Sequence, residues 1–379
     1  MEGVTGSSPV APTRLKMLKR EVDMEKAGDF GPIQKFMDDT AVSEIMINGA
    51  KKVFVEKNGK KILTDISFAS EDEITKLVEK IYTARGKRVD KDVPYADVCT
   101  EDGTRINAIV APISRFGLSV TFRKFAKDIN VLDDLIRLGT INEKAMELLV
   151  ACIKGKVNIL FSGGTAVGKT TLLQILSSYF NPEERVITIE DAAELRLVQD
   201  NVISLETRTP DREGKGGVSL RDLIRNALRM APDRLIIGEV RGAEAIDMLQ
   251  AMATGHTGTI GIVHGNSPRD VIARIETMVL MSGIQLPLWE VKKLIASTIN
   301  LVVHLERGQD GSRKVTHMTE IRGMEREEIV FNDLFMMRHE KTKDGKTTMA
   351  LRPCIRYYPL FFQKLQKMNL ISDKIFVNE

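Results

Sequence analysis

Residues 162–171 carry the sequence feature that most constrains how this chain folds. They read Ser-Gly-Gly-Thr-Ala-Val-Gly-Lys-Thr-Thr and satisfy the pattern G-x-x-x-x-G-K-[ST]. An apolar run at 157–161, typical of a buried strand, precedes the pattern, and a helix-like run at 171–176 follows it. Because strand, glycine-rich loop and helix occur in this order, the segment is predicted to be a phosphate-binding loop.

The residue types of this loop suit a nucleoside triphosphate with Mg²⁺. Backbone N–H groups and the helix N-terminus bind the β-phosphate, Lys169 bridges the β- and γ-phosphates, and the Thr170 hydroxyl ligates Mg²⁺. Ala166 stands where many such loops have glycine; since an L-residue resists positive φ at a cost of ~1–2 kcal/mol, we expect a negative φ there. The predicted nucleotide-binding residues of the loop are Gly163, Gly164, Thr165, Ala166, Val167, Gly168, Lys169, Thr170 and Thr171.

Composition bounds the class of protein. The chain has 379 residues, of which 43% are hydrophobic and 28% charged, as in a soluble globular protein of about two domains. A net charge of +3 with 5% aromatic residues gives no support for direct nucleic-acid binding. Cys99, Cys152 and Cys354 are isolated, which argues against a disulfide framework or a structural zinc site and fits a reducing cytosol. No run approaches the ~20 apolar residues of a bilayer span, so we expect membrane association only through partners.

The first third of the chain predicts a small α+β domain. Residues 1–29 are expected to be poorly ordered or helical, and the domain to span 30–128. Strand-like runs at 53–57 and 60–64 flank Asn58-Gly59, a strong hairpin signal because both turn positions need positive φ. Ser70 and Glu73 then form a capping-box pattern. An apolar stripe at helical spacing follows it, consisting of Ile74, Leu77, Val78, Ile81 and Tyr82.

After a linker at 129–141, residues 142–379 alternate helices with continuous apolar strands. Runs at 186–189, 235–237 and 259–263 predict, with the phosphate-loop strand, a parallel-rich sheet covered on both faces, hence an α/β fold. Ser219 with Asp222 forms a second capping box. Beyond about 336 the pattern is irregular, and we expect a loop near 341–346.

Two carboxylates end predicted strands beside the loop. Glu239 follows 235–237 and Glu190 follows 186–189, so both should emerge at the carboxyl edge of the sheet, where ligands bind in open α/β folds. A phosphate-binding loop needs one carboxylate to hold Mg²⁺ and another group to position the attacking water. Asp191, the residue after Glu190, is interpreted as a helix cap. His256 and His264 flank the run at 259–263; their spacing does not suit a zinc site, and we expect γ-phosphate contacts from them.

Four segments of the second domain together resemble the type II/IV secretion ATPase superfamily. Residues 163–171, 187–195, 229–242 and 254–269 look like its Walker A, Asp-box, Walker B and His-box. Nearest is the CpaF/TadA branch, which powers tight-adherence (Tad/Flp) pilus assembly, through Leu205-Glu206-Thr207-Arg208 and Asp310-Gly311-Ser312-Arg313. The resemblance covers about 40–335. It departs at Ala166-Val167 and in the His-box, where Gly261, Ile262 and Gly265 are unusual.

The resemblance implies a RecA-like P-loop ATPase domain preceded by the smaller domain, arranged in a homo-hexameric ring with ATP between the two domains. It implies Mg²⁺-dependent hydrolysis of ATP to ADP and phosphate, inner-membrane platform partners, and a cytoplasmic place at the inner face of the membrane. The resemblance implies that Glu239 is the Walker B carboxylate and ligates Mg²⁺ with Thr170, and that Glu190 is the base or water-positioning group, with Glu194 as the second candidate. It implies His-box contacts from His264 and His256 and an arginine finger at Arg208. Arg105 and Arg123 are implied to close the N-terminal domain on the nucleotide.

Three other interpretations stay open at this point. The chain could be a pilus-retraction or conjugative secretion motor, or a nucleic-acid translocase on the same RecA-like core, although weak basicity and few aromatic residues argue against the translocase. The unusual loop and His-box also leave open a nucleotide-gated scaffold that binds ATP but hydrolyses it slowly.

Overall fold

The computed structural model describes residues 30–57, 59–100, 102–124, 131–210, 213–308, 310–341 and 347–377. The strands are β1 Val42–Asn48, β2 Val53–Lys57, β3 Lys60–Leu63, β4 Tyr95–Cys99, β5 Arg105–Ile109, β6 Ser119–Arg123, β7 Ile159–Gly163, β8 Val186–Glu190, β9 Val202–Glu206, β10 Arg234–Val240, β11 Ile260–Val263, β12 Leu301–Arg307, β13 Arg313–Glu325, β14 Glu328–Lys341 and β15 Thr347–Pro353. The helices are α1 Gln34–Asp38, α2 Glu71–Thr83, α3 Leu132–Arg137, α4 Glu143–Lys154, α5 Lys169–Ser177, α6 Leu220–Ala227, α7 Glu244–Ala253, α8 Pro268–Leu280, α9 Leu288–Thr298 and α10 Phe362–Lys367. Two short 3₁₀ turns lie at Gly31–Ile33 and Asp373–Phe376.

The N-terminal sheet is antiparallel. Within the described residues its order is β3-β2-β1-β6-β5-β4, and α2 packs on one face through Ile74, Val78 and Tyr82. The predicted hairpin is present as the pair β2–β3, with Gly59 at φ 75°; Asn58 lies outside the described residues. Ser70 caps α2 by accepting a hydrogen bond from the Glu73 backbone N–H, as the sequence predicts.

The second sheet contains the phosphate-loop strand and is mixed. Among the described residues it has the order β15-β14-β13-β12-β7-β11-β10-β8-β9. The strands from β12 to β9 are parallel, which confirms the predicted α/β fold with a parallel-rich sheet. The expectation of irregular structure beyond 336 is wrong, because β14 and β15 pair as antiparallel strands from Phe335 opposite Pro353 to Lys341 opposite Thr347. The loop expected at 341–346 lies, apart from Lys341, outside the described residues. In β14 the apolar residues at 329–331 and 334–337 are separated by Asn332-Asp333, so the strand does not show the single continuous apolar run that marks the parallel strands.

Helices cover both faces of this sheet, as continuous apolar strands require. Successive residues of β7 alternate between the two cores, with Ile159 and Phe161 facing α4 and α5 and Leu160 facing α7 and α9. The Ser219–Asp222 capping box at the start of α6 is confirmed. No helix in the described part of the chain combines the length and the apolar character that a bilayer crossing needs.

The parallel order places several loops at one edge of the sheet. The segments after β7, β8, β10 and β11 all leave at the carboxyl ends of adjacent strands, so they meet above the same edge. The N-terminal sheet contacts the second domain across this edge, through Arg105–Glu194 at 2.7 Å and Arg307–Glu56 at 3.5 Å. A cleft therefore forms between the two sheets.

Candidate active site: a cleft over the phosphate-binding loop

The loop after β7 requires glycine at two positions. Gly163 has φ 140°, and a Cβ placed there would lie 2.1 Å from the backbone oxygen of Leu305. Gly168 has φ 95° and is the N-cap of α5. Both positions therefore exclude a side chain on conformational grounds, and Gly163 excludes one on steric grounds as well. The fixed glycines of the sequence pattern thus reflect the shape of the loop.

The expectation of a negative φ at Ala166 is wrong. Ala166 has φ 59°, in the left-handed region that costs an L-residue about 1–2 kcal/mol. The curvature of the loop dictates this conformation, since successive N–H groups point into one concavity only where left-handed residues interrupt the chain. The alanine tolerates the conformation and its methyl group borders the cleft.

Lys169 lies at the first position of α5 with its side chain buried under the loop, 6% exposed. Its Nζ donates hydrogen bonds to the backbone oxygens of Gly163 at 3.0 Å and Gly164 at 2.5 Å. Burial lowers the pKa of Lys169 to about 8, although the nearby carboxylates of Glu239 and Glu194 oppose the shift. A lysine held in this way carries its charge beside the loop without a carboxylate bound directly to it.

A cleft of about 920 Å³ opens over the loop and is lined by both domains. It brings together most of the residues that the sequence predicts for the site. These are Thr165, Ala166, Val167, Gly168, Lys169, Thr170, Thr171, Glu190, Glu194, Glu239, His264, Arg105 and Arg123. Gly163 and Gly164 contribute their backbone oxygens to Lys169 from beneath.

Glu239 is held in its ionised form at the edge of β10. His264 Nε2 lies 3.0 Å from Oε1 and Arg241 Nη2 lies 2.6 Å from Oε2. Burial favours the neutral acid, but the hydrogen bonds from His264 and Arg241 outweigh it and hold the pKa of Glu239 well below its usual range. Glu239 therefore presents a permanent negative charge to the cleft.

Glu190, at the end of β8, has the opposite electrostatics. Its side chain is 5% exposed, and burial raises its pKa to about 7 even though the backbone N–H groups of Glu194 and Leu195 donate hydrogen bonds to it. Gly238 makes room for it, since a Cβ there would lie 3.0 Å from Glu190 Cγ. The environments of Glu239 and Glu190 thus move their pKa values in opposite directions. In enzymes, such a pair usually consists of one carboxylate that stays ionised and one that can take up a proton.

The N-terminal domain supplies two of the predicted arginines. Arg105 Nη1 donates to Glu194 Oε1 at 2.7 Å, so this pair joins the two domains across the cleft. Arg123 Nε donates to Glu44 within its own domain at 2.8 Å and also lines the cleft. Both arginines therefore line the cleft while each is paired with a carboxylate.

The structure leaves two predicted residues outside this cleft. His256 precedes β11, whereas the cleft lies at the carboxyl end of that strand, so His256 sits at the opposite edge of the sheet with Nδ1 3.2 Å from Thr254 Oγ1. The prediction placed both histidines at the γ-phosphate because it ignored the length of the strand between them. Arg208 is exposed, and its Nε donates to the Gly216 backbone oxygen at 2.5 Å. Within this chain, Arg208 therefore does not reach the cleft.

Four arginines line the cleft to which the sequence assigns no role at the nucleotide: Arg241, Arg274, Arg307 and Arg313. Arg241 had a usable signal, because it lies two residues after Glu239 and side chains at i and i+2 share a strand face. Arg307 and Arg313 come from the far ends of β12 and β13, some 140 residues after the loop. Only the pairing of β12 with β7 brings them to the nucleotide loop.

The donor set suits Mg²⁺. The hydroxyl of Thr170 and the ionised carboxylate of Glu239 are hard oxygen ligands that face the same cleft. In the described ranges, no group of three or more His, Cys, Asp or Glu side chains forms a metal cage. The two oxygen donors Thr170 and Glu239 fit an ion that takes one or two protein oxygens and completes its shell with phosphate and water. Bound there, Mg²⁺ would neutralise charge on the β- and γ-phosphate oxygens.

Comparisons with known proteins identify the family of this chain. A family model described as "Type II/IV secretion system protein" matches residues 26–348. The type IV secretion system protein PtlH of Bordetella pertussis is 36% identical over 264 residues, covering 62% of this chain and 78% of that protein. A Sinorhizobium fredii protein named "Probable conjugal transfer protein TrbB" is 32% identical over 285 residues, covering 73% of this chain and 82% of its own length.

Among solved structures, the pilus retraction motor PilT with bound ADP aligns with a TM-score of 0.54 at 20% identity, covering 89% of this chain and 86% of that chain. At this identity the likeness concerns the fold. It extends over both the N-terminal domain and the sheet that carries the phosphate-binding loop.

Proposed function

Because the chain belongs to the type II/IV secretion system protein family, we propose that it is a Mg²⁺-dependent ATPase that powers a secretion or pilus machine. The proposal rests above all on the pairing of Glu239, whose pKa is held low, with Glu190, whose pKa is raised to about 7, beside the same phosphate-binding loop. A site that only bound nucleotide would have no need of a buried carboxylate poised to take a proton near neutral pH.

The residues divide the chemistry among them. Backbone N–H groups of residues 163–170 and the N-terminus of α5 bind the phosphates, and Lys169 stabilises charge on the β- and γ-phosphate oxygens. Glu190 accepts a proton from the attacking water, whose oxygen forms the new bond to the γ-phosphorus as the bond to ADP breaks. His264, whose Nε2 lies 3.0 Å from Glu239 Oε1, positions the Glu239 carboxylate and senses the γ-phosphate side of the cleft.

Phosphate release from purified protein tests the enzymatic part of the proposal. We expect hydrolysis of ATP with Mg²⁺, and its loss with excess chelator. Lys169→Ala should lower the rate by about 10²–10³-fold, since it removes a preorganised positive charge. Lys156→Ala is a matched control, because Lys156 lies at the opposite end of β7 and pairs with Glu184 at 3.7 Å. Equal turnover in Lys169→Ala and wild type would refute the proposal.

For the pathway, we propose the tight-adherence (Tad/Flp) branch, with the protein acting as a homo-hexamer on inner-membrane platform proteins at the cytoplasmic face. The segments 205–208 and 310–313, which resemble that branch, support it. The names of the relatives point instead to conjugal transfer and type IV secretion. A chromosomal Lys169→Ala allele separates these pathways: loss of surface pili supports the Tad assignment, whereas normal piliation with lost DNA transfer or secretion contradicts it.

A further inference from the structure

Arg313 lies against the phosphate-binding loop, and no residue that the structure describes provides it with a counter-ion. It begins β13, and a Cβ placed on Gly168 would be 3.4 Å from Arg313 Cδ, so the stem of the arginine covers the residue that precedes Lys169. Its side chain is half-buried and lines the cleft. Over the ranges that the structure describes, Arg313 has neither an ion pair nor a side-chain hydrogen bond.

The other cleft arginines differ from Arg313 in this respect. Arg105, Arg123, Arg241 and Arg307 each have a carboxylate within 4 Å, provided by Glu194, Glu44, Glu239 and Glu56 respectively. Arg274 also lines the cleft but differs from Arg313 in being exposed to solvent.

Half-burying an unpaired guanidinium among other cations is unfavourable. Burial lowers the pKa of Arg313, and Arg307 and Arg123 lower it further while only Glu56 opposes them. Arginine stays charged nonetheless, and its planar fork suits phosphate oxygens. A ligand with negative charge over Gly168 would supply the partner that the protein does not.

The topology fixes the side from which Arg313 approaches. β12 and β13 lie on one side of β7, whereas β11 and β10, which carry His264 and Glu239, lie on the other. The γ-phosphate and Mg²⁺ belong on the Glu239 side, because that carboxylate and Glu190 are there. The α-phosphate and nucleoside are therefore left for the Arg313 side.

We propose that Arg313 is a nucleotide-binding residue, supplied by the β12–β13 hairpin, that binds the nucleotide on its α-phosphate side and does not distinguish ATP from ADP. This rests on the proposed function and adds a residue to its site. An arginine that reads the γ-phosphate would instead favour ATP over ADP.

Calorimetric titration of Arg313→Gln with ADP and with a non-hydrolysable ATP analogue tests the proposal. Since a hydrogen bond to a charged group is at stake, both dissociation constants should rise by about 10- to 100-fold and by the same factor. Arg313→Lys, which keeps the charge and loses the fork, should fall between wild type and Arg313→Gln. Lys314→Gln is the matched control, since Lys314 is the next residue of β13, lies outside the cleft and points to the Gly139 backbone oxygen at 3.5 Å.

Thermal unfolding without nucleotide separates binding from a structural role. Removing a cation that faces Arg307 and Arg123 should leave the melting temperature of Arg313→Gln equal to wild type or above it. A lower melting temperature in both Arg313 variants, unchanged affinities, or a loss confined to the ATP analogue would each overturn the inference. If the wild-type protein itself binds neither nucleotide, the proposed function fails, and that result is distinct from all of these.

Discussion

Glu190→Gln links the electrostatics of the site to two independent observables. The pKa of Glu190 rises from 4.5 to about 7 in the fold, chiefly because the side chain is buried. The folded protein therefore binds this proton more tightly than the unfolded chain does. The stability that Glu190 contributes is greatest below about pH 4.5, falls as the pH rises towards 7, and stays low above it. The difference between these two pKa values corresponds to roughly 3 kcal/mol.

Glutamine keeps the side-chain oxygen that accepts hydrogen bonds from the Glu194 and Leu195 backbone N–H groups. It does not ionise. We therefore expect Glu190→Gln to be more stable than wild type at pH 8, by up to about 3 kcal/mol, with the difference shrinking towards zero near pH 4.5. Denaturant unfolding at a series of pH values measures it. Glu183→Gln, at an exposed position next to the same strand, is the control and should show no such pH dependence.

The rate of ATP hydrolysis by Glu190→Gln should fall, although its stability at pH 8 rises. Without the base, turnover of Glu190→Gln should fall by at least roughly 10²-fold while nucleotide binding persists, since general-base catalysis contributes about 10²–10⁴. Wild-type turnover should rise with pH through a midpoint near 7, following ionisation of Glu190. If Glu190→Gln gained no stability at pH 8 and kept wild-type turnover, both the raised pKa and the role as base would be refuted.

Three other expectations concern the loop, the ring and the choice of partner. Gly163→Ala should lower the melting temperature, because its Cβ would lie 2.1 Å from the Leu305 oxygen, whereas Gly164→Ala, with only Val167 at 3.7 Å, should fold normally; equal melting temperatures would contradict the steric argument. Since Arg208 does not reach the cleft of its own chain, we expect it to act as an arginine finger on a neighbouring subunit, and Arg208→Ala should then cut hydrolysis at least roughly 10²-fold with ATP affinity kept. Mixing Arg208→Ala with Lys169→Ala subunits should restore activity if the finger acts between subunits; unchanged turnover in Arg208→Ala would refute the finger. Single-stranded DNA should not stimulate hydrolysis, and stimulation would favour a translocase.

Local patterns predicted the parts of the fold that local forces determine. Ser70 and Ser219 cap α2 and α6 as their sequences indicate, because a capping side chain bonds to a backbone group three residues away. The apolar runs of β7, β8, β10 and β11 were found because strands buried on both faces are almost continuously hydrophobic. The long strand β14 lacks that single continuous run, because Asn332-Asp333 divides its apolar residues, and it was not predicted.

Within the site, the sequence predicted which strand ends meet but not how side chains pair. Glu190 and Glu239 reach the cleft because parallel strands share a carboxyl edge. Arg241 and His264 hold the pKa of Glu239 low, whereas burial raises the pKa of Glu190, and both effects depend on neighbours in three dimensions. The φ angle of Ala166 was predicted with the wrong sign for a related reason. The loop as a whole imposes a φ of 59°, although an alanine by itself prefers a negative φ.

Glu239→Gln tests the central claim, that the cleft separates nucleotide binding from hydrolysis between two unlike carboxylates. The substitution keeps the shape of a side chain that contacts His264 at 3.0 Å and removes its charge. We predict that ATP binding, measured by calorimetry, stays within a few-fold of wild type, while phosphate release falls by at least roughly 10²-fold. Phosphate release at the wild-type rate from Glu239→Gln would contradict the account.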